Sequence, residues 1–435
     1  MRHASSTTPH PHRAGRRAAT ALLLSLTLIS AAPAAAVPPP GAANARVITT
    51  WNEIAVNTVT NNGAAASPTS FNYFAFVHLA MYNAVVGITG GYEPYHWDKH
   101  APTGASPEAA AAAAAHRVLS NYFPAAAANL NAQLDASLAL VPDGGAQDKG
   151  ISYGVRAANN IIALRANDGR NAVVNVPIAD APGEWVPTSS APTAQFASAW
   201  LGGVTPLAIQ SATQFAPGGP PLISDEKYVT EFNEVKKVGD INAPLTDRSA
   251  AMTQTARFFS DAGILPMQGA LRELATRRAL DIDDSARLFA AVDTSIADGA
   301  ITVWHAKLQY MWWRPITAIR MAETDGNDDT AGDENWTPLI GTPPYPDWPS
   351  GLCSVVGATS TALERLNPDG MLDINIRSNA ANETRYFATK ADIAPLAVDA
   401  RVWSGIHFRT ADEVSIDIGT SVATYVLDNY FQPTD

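Results

Sequence analysis

Residues 301–315 read ITVWHAKLQYMWWRP and place two cations, Lys307 and Arg314, among four large aromatic side chains. In a continuous α-helix, their separation of seven residues puts the two cations within about 20° of each other on one face and roughly 10 Å apart along the axis. No carboxylate lies between Ile301 and Ala322 to pair with either charge. Cations in apolar surroundings are costly to bury unless an anion lies between them. The stretch therefore predicts an anion site, unless both side chains extend to the surface and pair with acids elsewhere.

A second segment, Pro349-Ser350-Gly351, comes directly before LCSVVGATSTALERL, a run whose apolar spacing predicts a helix. Ser350 then occupies the position of a helix N-cap. The backbone N–H groups of Gly351 and Leu352 would be free at the helix N-terminus, where the helix dipole also favours negative charge. This segment therefore predicts a second set of donors for the same kind of anion.

The third segment, residues 401–407, contributes a cation, Arg401, and an imidazole, His407. Residues 410–413, TADE, have the form of a capping box and predict that the last helix opens there. Three cations, a hydroxyl, a helix N-terminus and one imidazole together indicate a receptor for a tetrahedral oxyanion.

The order Lys-x6-Arg-Pro, Pro-Ser-Gly and Arg-x5-His resembles the three-part signature shared by type 2 phosphatidic acid phosphatases and vanadium-dependent haloperoxidases. Each part alone is a weak signal, whereas the three in this order are specific. Further segments resemble the bacterial secreted haloperoxidase branch, and the resemblance covers most of the chain. These segments are FAFVHLAMYNAVVGITGGYEPY at 74–95, PGEWVPT at 182–188, PPYPDWPSG at 343–351 and GIHFRTADE at 405–413.

The resemblance implies an all-α fold of two packed helical bundles and an enzyme that binds vanadate, with phosphate able to occupy the same site. Vanadate activates hydrogen peroxide so that a halide is oxidised and a small organic substrate is halogenated. His407 would be the apical vanadium ligand, and Asp412 is the candidate that orients it. The halide-side wall would be formed by Trp304, Pro343 and Tyr345. The anion would be held by Lys307, Arg314, Ser350, Gly351, Arg401 and His407.

The chain departs from this family at Leu352, where the residue after Pro-Ser-Gly is normally a histidine that acts as a general acid or base. Leucine cannot transfer a proton, so the resemblance supports an anion site in this chain more strongly than it supports the family's activity. Two alternatives therefore stay open. One is an acid phosphatase of the same fold, in which His407 attacks phosphorus; the other is a vanadium-independent member with a repurposed anion pocket.

The first 36 residues combine a basic stretch, the apolar run ATALLLSLTLISAA and Ala34-Ala35-Ala36, which predict a signal peptide cleaved near Ala36 and a secreted protein. The apolar run is too short to span a bilayer, and we expect no stable membrane association. The net charge of −12 argues against nucleic acid as a partner. The single cysteine, Cys353, excludes an internal disulfide and is expected to be a small buried side chain. The oligomeric state is not predicted.

Periodicity predicts helices through most of the mature chain, with no strand signal of any strength. His78 lies on an apolar helix face and is expected to be a hydrogen-bonded core histidine. Eight prolines between residues 176 and 223 leave little room for regular helix and indicate a long crossover, which either helps form the mouth of the site or is an ordinary connection between the bundles. We therefore divide the mature chain into an N-terminal half, 37–240, and a C-terminal half that carries the site, 241–435. The predicted helices are Thr50–Asn61, Ser70–Val86, Pro107–Leu119, Ala125–Ala139, Asp148–Asn167, Ser224–Val238, Asp247–Phe259, Met267–Leu280 and Ser285–Ala297.

Overall fold

The computed structural model describes residues 44–61, 68–179, 181–188, 196–261 and 263–434. The predicted signal peptide lies outside these described residues. Within them the chain is built almost entirely of helices, which confirms the predicted all-α fold.

The first bundle consists of five helices, one of which is apolar and central. Its central element, α2, is buried at every position from Ser70 to Val86 and packs against α3 and α5. By length and composition α2 is apolar enough to cross a membrane, but its burial is that of a core helix. Ser106 caps α3 by accepting from the Ala109 N–H, and Pro107 follows in the first turn. The helices are α1 Arg46–Asn61, α2 Ser70–Thr89, α3 Pro107–Tyr122, α4 Ala127–Leu138 and α5 Gly145–Leu164.

The second bundle is organised around α9, a 29-residue helix whose side chains are buried along most of its length. Because α9 packs against α2 of the first bundle and against α11 and α13 of the second, it connects the two cores. The helices are α6 Glu226–Gly239, α7 Ala250–Phe258, α8 Ile264–Arg277, α9 Ile282–Tyr310, α10 Pro315–Met321, α11 Gly351–Leu366, α12 Lys390–Trp403 and α13 Arg409–Asn429.

Three elements were not predicted from the sequence: the short helix α10, helix α12 and a small hairpin. Helix α12 contains an internal proline, Pro395, which is a residue that normally interrupts helices. A small antiparallel hairpin also forms, in which Ile374 of β1 (Ile374–Ser378) faces Phe387 of β2 (Glu383–Phe387). Its alternating half-buried pattern is only five residues long on each strand, which explains the weak signal in the sequence.

Between the bundles, the described part of the crossover contains no α-helix, which confirms that prediction for residues 176–179, 181–188 and 196–223. Its only regular element there is the short 3-10 turn Ala199–Gly203. Asp298 of α9 fastens the crossover because its carboxylate accepts from the backbone N–H groups of Leu207, Ala208 and Ile209 at 2.7, 2.7 and 2.9 Å.

Two glycines allow α11 and α13 to approach closely. A Cβ atom on Gly357 would lie 2.3 Å from the Ile416 carbonyl oxygen, and one on Gly419 would lie 2.2 Å from the Ser354 carbonyl oxygen. Only glycine fits at such distances. The close packing brings the start of α11, after Pro-Ser-Gly, next to the start of α13, after His407.

Candidate active site

The two cations of the first motif come together, but not along one helix face as expected. Helix α9 ends at Tyr310 because Met311 adopts a left-handed conformation, with φ 43° and ψ 39°. Arg314 instead precedes Pro315, the first residue of α10. The expectation of a continuous helix was therefore wrong. Both cations nevertheless lie 5.0 Å from the centre of the Tyr345 ring, so the turn brings them together by another route.

Lys307 is fully buried in the last turn of α9. Its ammonium donates to the carbonyl oxygens of Pro346 at 2.5 Å and Asp347 at 3.0 Å. Burial, reinforced by the neighbouring Arg314 charge, lowers the pKa of Lys307 well below its ordinary value. An anion placed beside it would reverse that shift.

Arg314 is also fully buried, and it is only partly satisfied by protein acceptors. Its Nε donates to the Tyr345 carbonyl at 2.8 Å, and its Nη1 donates to the Ile406 carbonyl at 2.7 Å. The same Nη1 lies 3.0 Å from His407 Nε2. Its Nη2 has no hydrogen-bond partner among the residues that the structure describes.

Arg401 completes the cation set from the last turn of α12, where it is 6 % exposed. Its Nε likewise finds no partner within the described chain. A buried guanidinium with an unused donor is costly unless something accepts from it. Two such groups around one histidine fit an oxyanion such as vanadate or phosphate, whose several oxygens can accept from both.

Ser350 is the N-cap residue of α11, as predicted, and Gly351 is the first helical residue. The Ser350 backbone donates to the Ala411 carbonyl at 3.0 Å, which ties the start of α11 to α13. Its side chain makes no capping hydrogen bond with the helix. The start of α11 therefore lies beside the start of α13, the helix that follows His407.

His407 is paired with Asp347, not with Asp412. Its Nδ1 lies 2.7 Å from Asp347 Oδ1, and at most 1 % of either side chain is exposed. Burial raises the pKa of Asp347 to about 7, although Arg314 and Lys307 act against this rise. Burial lowers the pKa of His407 well below its usual range, and the cations Arg314, Arg401 and Lys307 lower it further. The imidazole is therefore neutral at physiological pH.

Asp412 lies beside Cys353, near the start of α11. Its Oδ1 is 3.4 Å from the Cys353 thiol, which is buried as expected. Burial raises its pKa well above the ordinary value, while Arg401 and then Ser350 act in the opposite direction. Asp412 thus interacts with the Arg401 and Ser350 side of the site, and its predicted role as the orienter of His407 was wrong.

The predicted capping box at residues 410–413 is not formed either. Helix α13 begins one residue earlier, at Arg409, and Phe408 in the N-cap position provides no side-chain bond. Thr410 instead hydrogen-bonds through its side chain to Glu231 of α6. A tertiary partner therefore replaced the local cap that the sequence pattern predicts.

The three residues predicted to form the halide-side wall lie next to one another. The Trp304 and Tyr345 rings lie 5.0 Å apart, and Lys307 lies over both of them. Pro343 lies next to this pair because its carbonyl accepts from the Tyr345 N–H at 2.9 Å. Leu352 is partly buried and packs against the main apolar core.

The crossover contacts the segment that carries Lys307 and Arg314. Trp185 N–H donates to the Met311 carbonyl at 2.6 Å, and Trp313 N–H donates to the Gly183 carbonyl at 3.0 Å. The Trp304 indole donates to the Ala197 carbonyl at 3.1 Å. These contacts support the predicted position of the crossover at the edge of the site.

Asp347 is the residue that the sequence reasoning overlooked. It lies inside the quoted segment PPYPDWPSG, in the loop between the first two motifs. A single acid within a run of prolines and aromatic residues, three positions before the capping serine, was the available signal. Spacing gives no partner for such a loop residue, because loops have no fixed period.

A family model described as the VCPO second helical-bundle domain matches residues 287–435, which include all three motifs. Vanadium chloroperoxidase of Curvularia inaequalis is 36 % identical over 92 residues, which correspond to 19 % of this chain and 14 % of that protein. The match therefore spans a small part of the curated relative's length.

Solved structures share the fold over nearly their whole length. A bacterial vanadium-dependent iodoperoxidase superposes with a TM-score of 0.74, covering 90 % of this chain and 96 % of that one at 22 % identity. The holo form of a bacterial vanadium-dependent chloroperoxidase superposes with a TM-score of 0.68, covering 87 % and 97 % at 18 % identity. Residues 287–435 therefore match a haloperoxidase bundle domain, and the chain shares the fold of the bacterial vanadium-dependent haloperoxidases.

Proposed function

We propose that this protein is a vanadate-dependent haloperoxidase-like enzyme that uses hydrogen peroxide to oxidise a halide. The observation that carries the proposal is the group of three buried cations around a neutral His407, with unused donors on Arg314 and Arg401. Such donors are destabilising in the folded protein unless an anion accepts from them. An oxyanion of tetrahedral shape matches their number and their placement at a helix N-terminus.

In this function, Lys307, Arg314 and Arg401 bind the anion oxygens, and the two guanidinium groups offer forked donors that suit an oxyanion. Ser350 and the Gly351 N–H add neutral donors. The Nε2 lone pair of His407 provides the nitrogen ligand. Bound vanadate supplies the activation of hydrogen peroxide toward halide, and a small organic molecule accepts the oxidised halogen.

Leu352 sets a limit on turnover. A positioned general acid or base typically contributes about 10²- to 10⁴-fold to a rate, and leucine provides neither. His305, the nearest histidine in the sequence to Lys307, faces the crossover, where its Nδ1 lies 3.3 Å from the Gly202 carbonyl. We therefore expect vanadate binding to be retained and halide oxidation to be slow.

Leu352 also favours a second candidate, in which the same pocket binds an organic anion or a phosphate without redox chemistry. The cations and His407 serve phosphate as well as vanadate because the two anions share charge and shape. An acid phosphatase is weakened more by Leu352, since its leaving alkoxide would lack a proton donor.

The test is calorimetry of vanadate binding to the purified protein, with a peroxide and bromide halogenation assay on the same sample. Binding that is lost in His407→Ala and retained in the matched variant His305→Ala, together with halogenation, is the expected result. Binding without halogenation would favour the repurposed pocket. If vanadate does not bind at all, the three motifs do not form a functional anion site and the proposal fails.

A further inference from the structure

We propose that Asp347 determines which anion the site prefers, by fixing the tautomer of His407 so that its Nε2 lone pair is available to a central atom that accepts a nitrogen ligand. The inference rests on the proposed function, because it concerns the same anion site. Its chemical consequence is a preference for vanadate over phosphate, since phosphate binds through its oxygens alone.

The two partners of His407 assign the position of its proton. Arg314 carries only donors, and its Nη1 lies 3.0 Å from Nε2 and 3.3 Å from Nδ1. The nearer nitrogen, Nε2, must therefore present its lone pair. The single proton of a neutral imidazole then lies on Nδ1, which is 2.7 Å from the carboxylate of Asp347. The two neighbouring charges favour this tautomer, because the carboxylate attracts a proton on Nδ1 and the guanidinium repels a proton on Nε2.

The position of Asp347 is itself rigidly fixed by the protein. Its backbone carbonyl accepts from Lys307 at 3.0 Å, and its backbone N–H donates to the Trp312 carbonyl at 2.9 Å. The carboxylate is fully buried and lies 3.6 Å from Arg314 Nη1. Because its backbone is held at both the N–H and the carbonyl, the carboxylate is kept beside Nδ1, although neither of its oxygens has a hydrogen-bond partner among the described residues. This makes Asp347 a positioning residue, which acts on the anion through His407.

Loss of this contact should affect the two anions unequally. A carboxylate behind a ligating histidine fixes the ring and raises its basicity, and its removal typically lowers the affinity for the ligated centre about 10- to 100-fold. Phosphate does not use the imidazole lone pair, so its affinity responds only to the change in charge. The ratio of vanadate affinity to phosphate affinity therefore isolates the role of the tautomer from the role of charge.

Three variants separate these two roles. Asp347→Ala removes both the acceptor and the charge, whereas Asp347→Asn removes the charge but keeps a carbonyl oxygen that can accept from Nδ1–H. Glu231→Gln is the charge control. Glu231 is a buried acid on α6 that raises the pKa of Asp347 through its charge, and its hydrogen-bond partner is Thr410 rather than His407.

The experiment measures vanadate and inorganic phosphate binding by calorimetry on the full protein. It also measures the tautomer of His407 by ¹⁵N NMR of histidine-labelled protein. The chain contains nine histidines, so the His407 signal is assigned by its loss in His407→Ala. We expect the Nδ1–H tautomer in the wild type, a vanadate-to-phosphate ratio about 10- to 100-fold lower in Asp347→Ala, and a ratio changed only a few-fold in Asp347→Asn and Glu231→Gln.

The idea is overturned if Asp347→Ala keeps both the Nδ1–H tautomer and the wild-type ratio, or if Glu231→Gln lowers the ratio as much as Asp347→Ala does. If the alanine variant does not fold, the asparagine variant and the wild-type tautomer still decide the outcome, because an Nε2–H tautomer in the wild type contradicts the assignment directly. Should neither anion bind to the wild type, the proposed function fails while the NMR measurement still tests Asp347.

Discussion

The protein contains two buried histidine–aspartate pairs, and only one of them lies in a candidate active site. In the first bundle, His78 Nδ1 lies 2.5 Å from Asp293 Oδ2; in the second, His407 Nδ1 lies 2.7 Å from Asp347 Oδ1. All four side chains are at most 1 % exposed. By distance and burial alone the two pairs are nearly the same.

Their surroundings differ. The first pair is closed by neutral amides, because Asn52 contacts His78 Nε2 at 3.2 Å and Gln268 donates to Asp293 Oδ1. The second pair faces Arg314, whose Nη2 is unused within the described chain. A histidine–aspartate pair therefore does not identify a site by itself. The unused donors around it do, because they require a partner that the protein does not supply.

Both pairs depend on one helix. α9 carries Asp293 toward the first pair and Lys307 toward the second, and Asp298 lies between them. Substitutions along α9 and at the second pair therefore test the difference between the pair enclosed by amides and the pair that faces unused donors.

The largest effect is expected from Leu352→His, which restores the imidazole that the family resemblance implies after Pro-Ser-Gly. If proton transfer limits a haloperoxidase reaction, the halogenation rate should rise by about 10²- to 10⁴-fold. Leu352→Asn is the matched control, because asparagine is polar but does not titrate near neutral pH. A loss of activity in the histidine variant would instead favour the repurposed anion pocket.

The next effect concerns the first pair. In His78→Ala the Asp293 carboxylate loses its histidine partner while it stays buried, and breaking such a pair typically costs about 3–5 kcal/mol of unfolding free energy. Vanadate affinity, measured by calorimetry below the unfolding transition, should stay within a few-fold of wild type. The reverse pattern is expected for His407→Ala, in which binding is lost and stability changes less. If His78→Ala weakened vanadate binding as strongly, the first pair would be part of the site.

The smallest effect concerns Asp298. Burial raises the pKa of its carboxyl to about 6, although hydrogen bonds from three backbone N–H groups act against this rise. Between about pH 4 and pH 6 the folded state then binds more protons than the unfolded state, so the unfolding free energy falls as pH rises. At roughly 1.4 kcal/mol per unit of pKa shift, the fall is at most about 3 kcal/mol.

Denaturant titrations of the wild type and Asp298→Asn across this pH range measure that difference. The variant should be less stable at low pH, because its amide cannot replace both oxygens as acceptors, and its stability should fall less steeply with pH. Parallel curves for the two proteins would mean that Asp298 titrates at its ordinary pKa.

The helices were largely predictable because their apolar residues recur with the helical period and caps such as Ser106 are local. The hairpin at residues 374–387 and helix α12 were not, since short strands give little signal and Pro395 argues against a helix. Among the site residues, Lys307, Arg314, Ser350 and His407 were predicted from motif spacing. Asp347 was not, because no spacing rule links a loop carboxylate to a distant imidazole.

The sequence by itself determined the helical class and supplied the three cations and the imidazole. These follow from residue type and from short-range periodicity. The tertiary structure alone decided that Met311 turns the chain so that Lys307 and Arg314 meet over Tyr345, and that Asp347 rather than Asp412 faces His407. The physical reason is that these contacts depend on the packing of α11 against α13, where residues far apart in sequence are held together by the core rather than by any local rule.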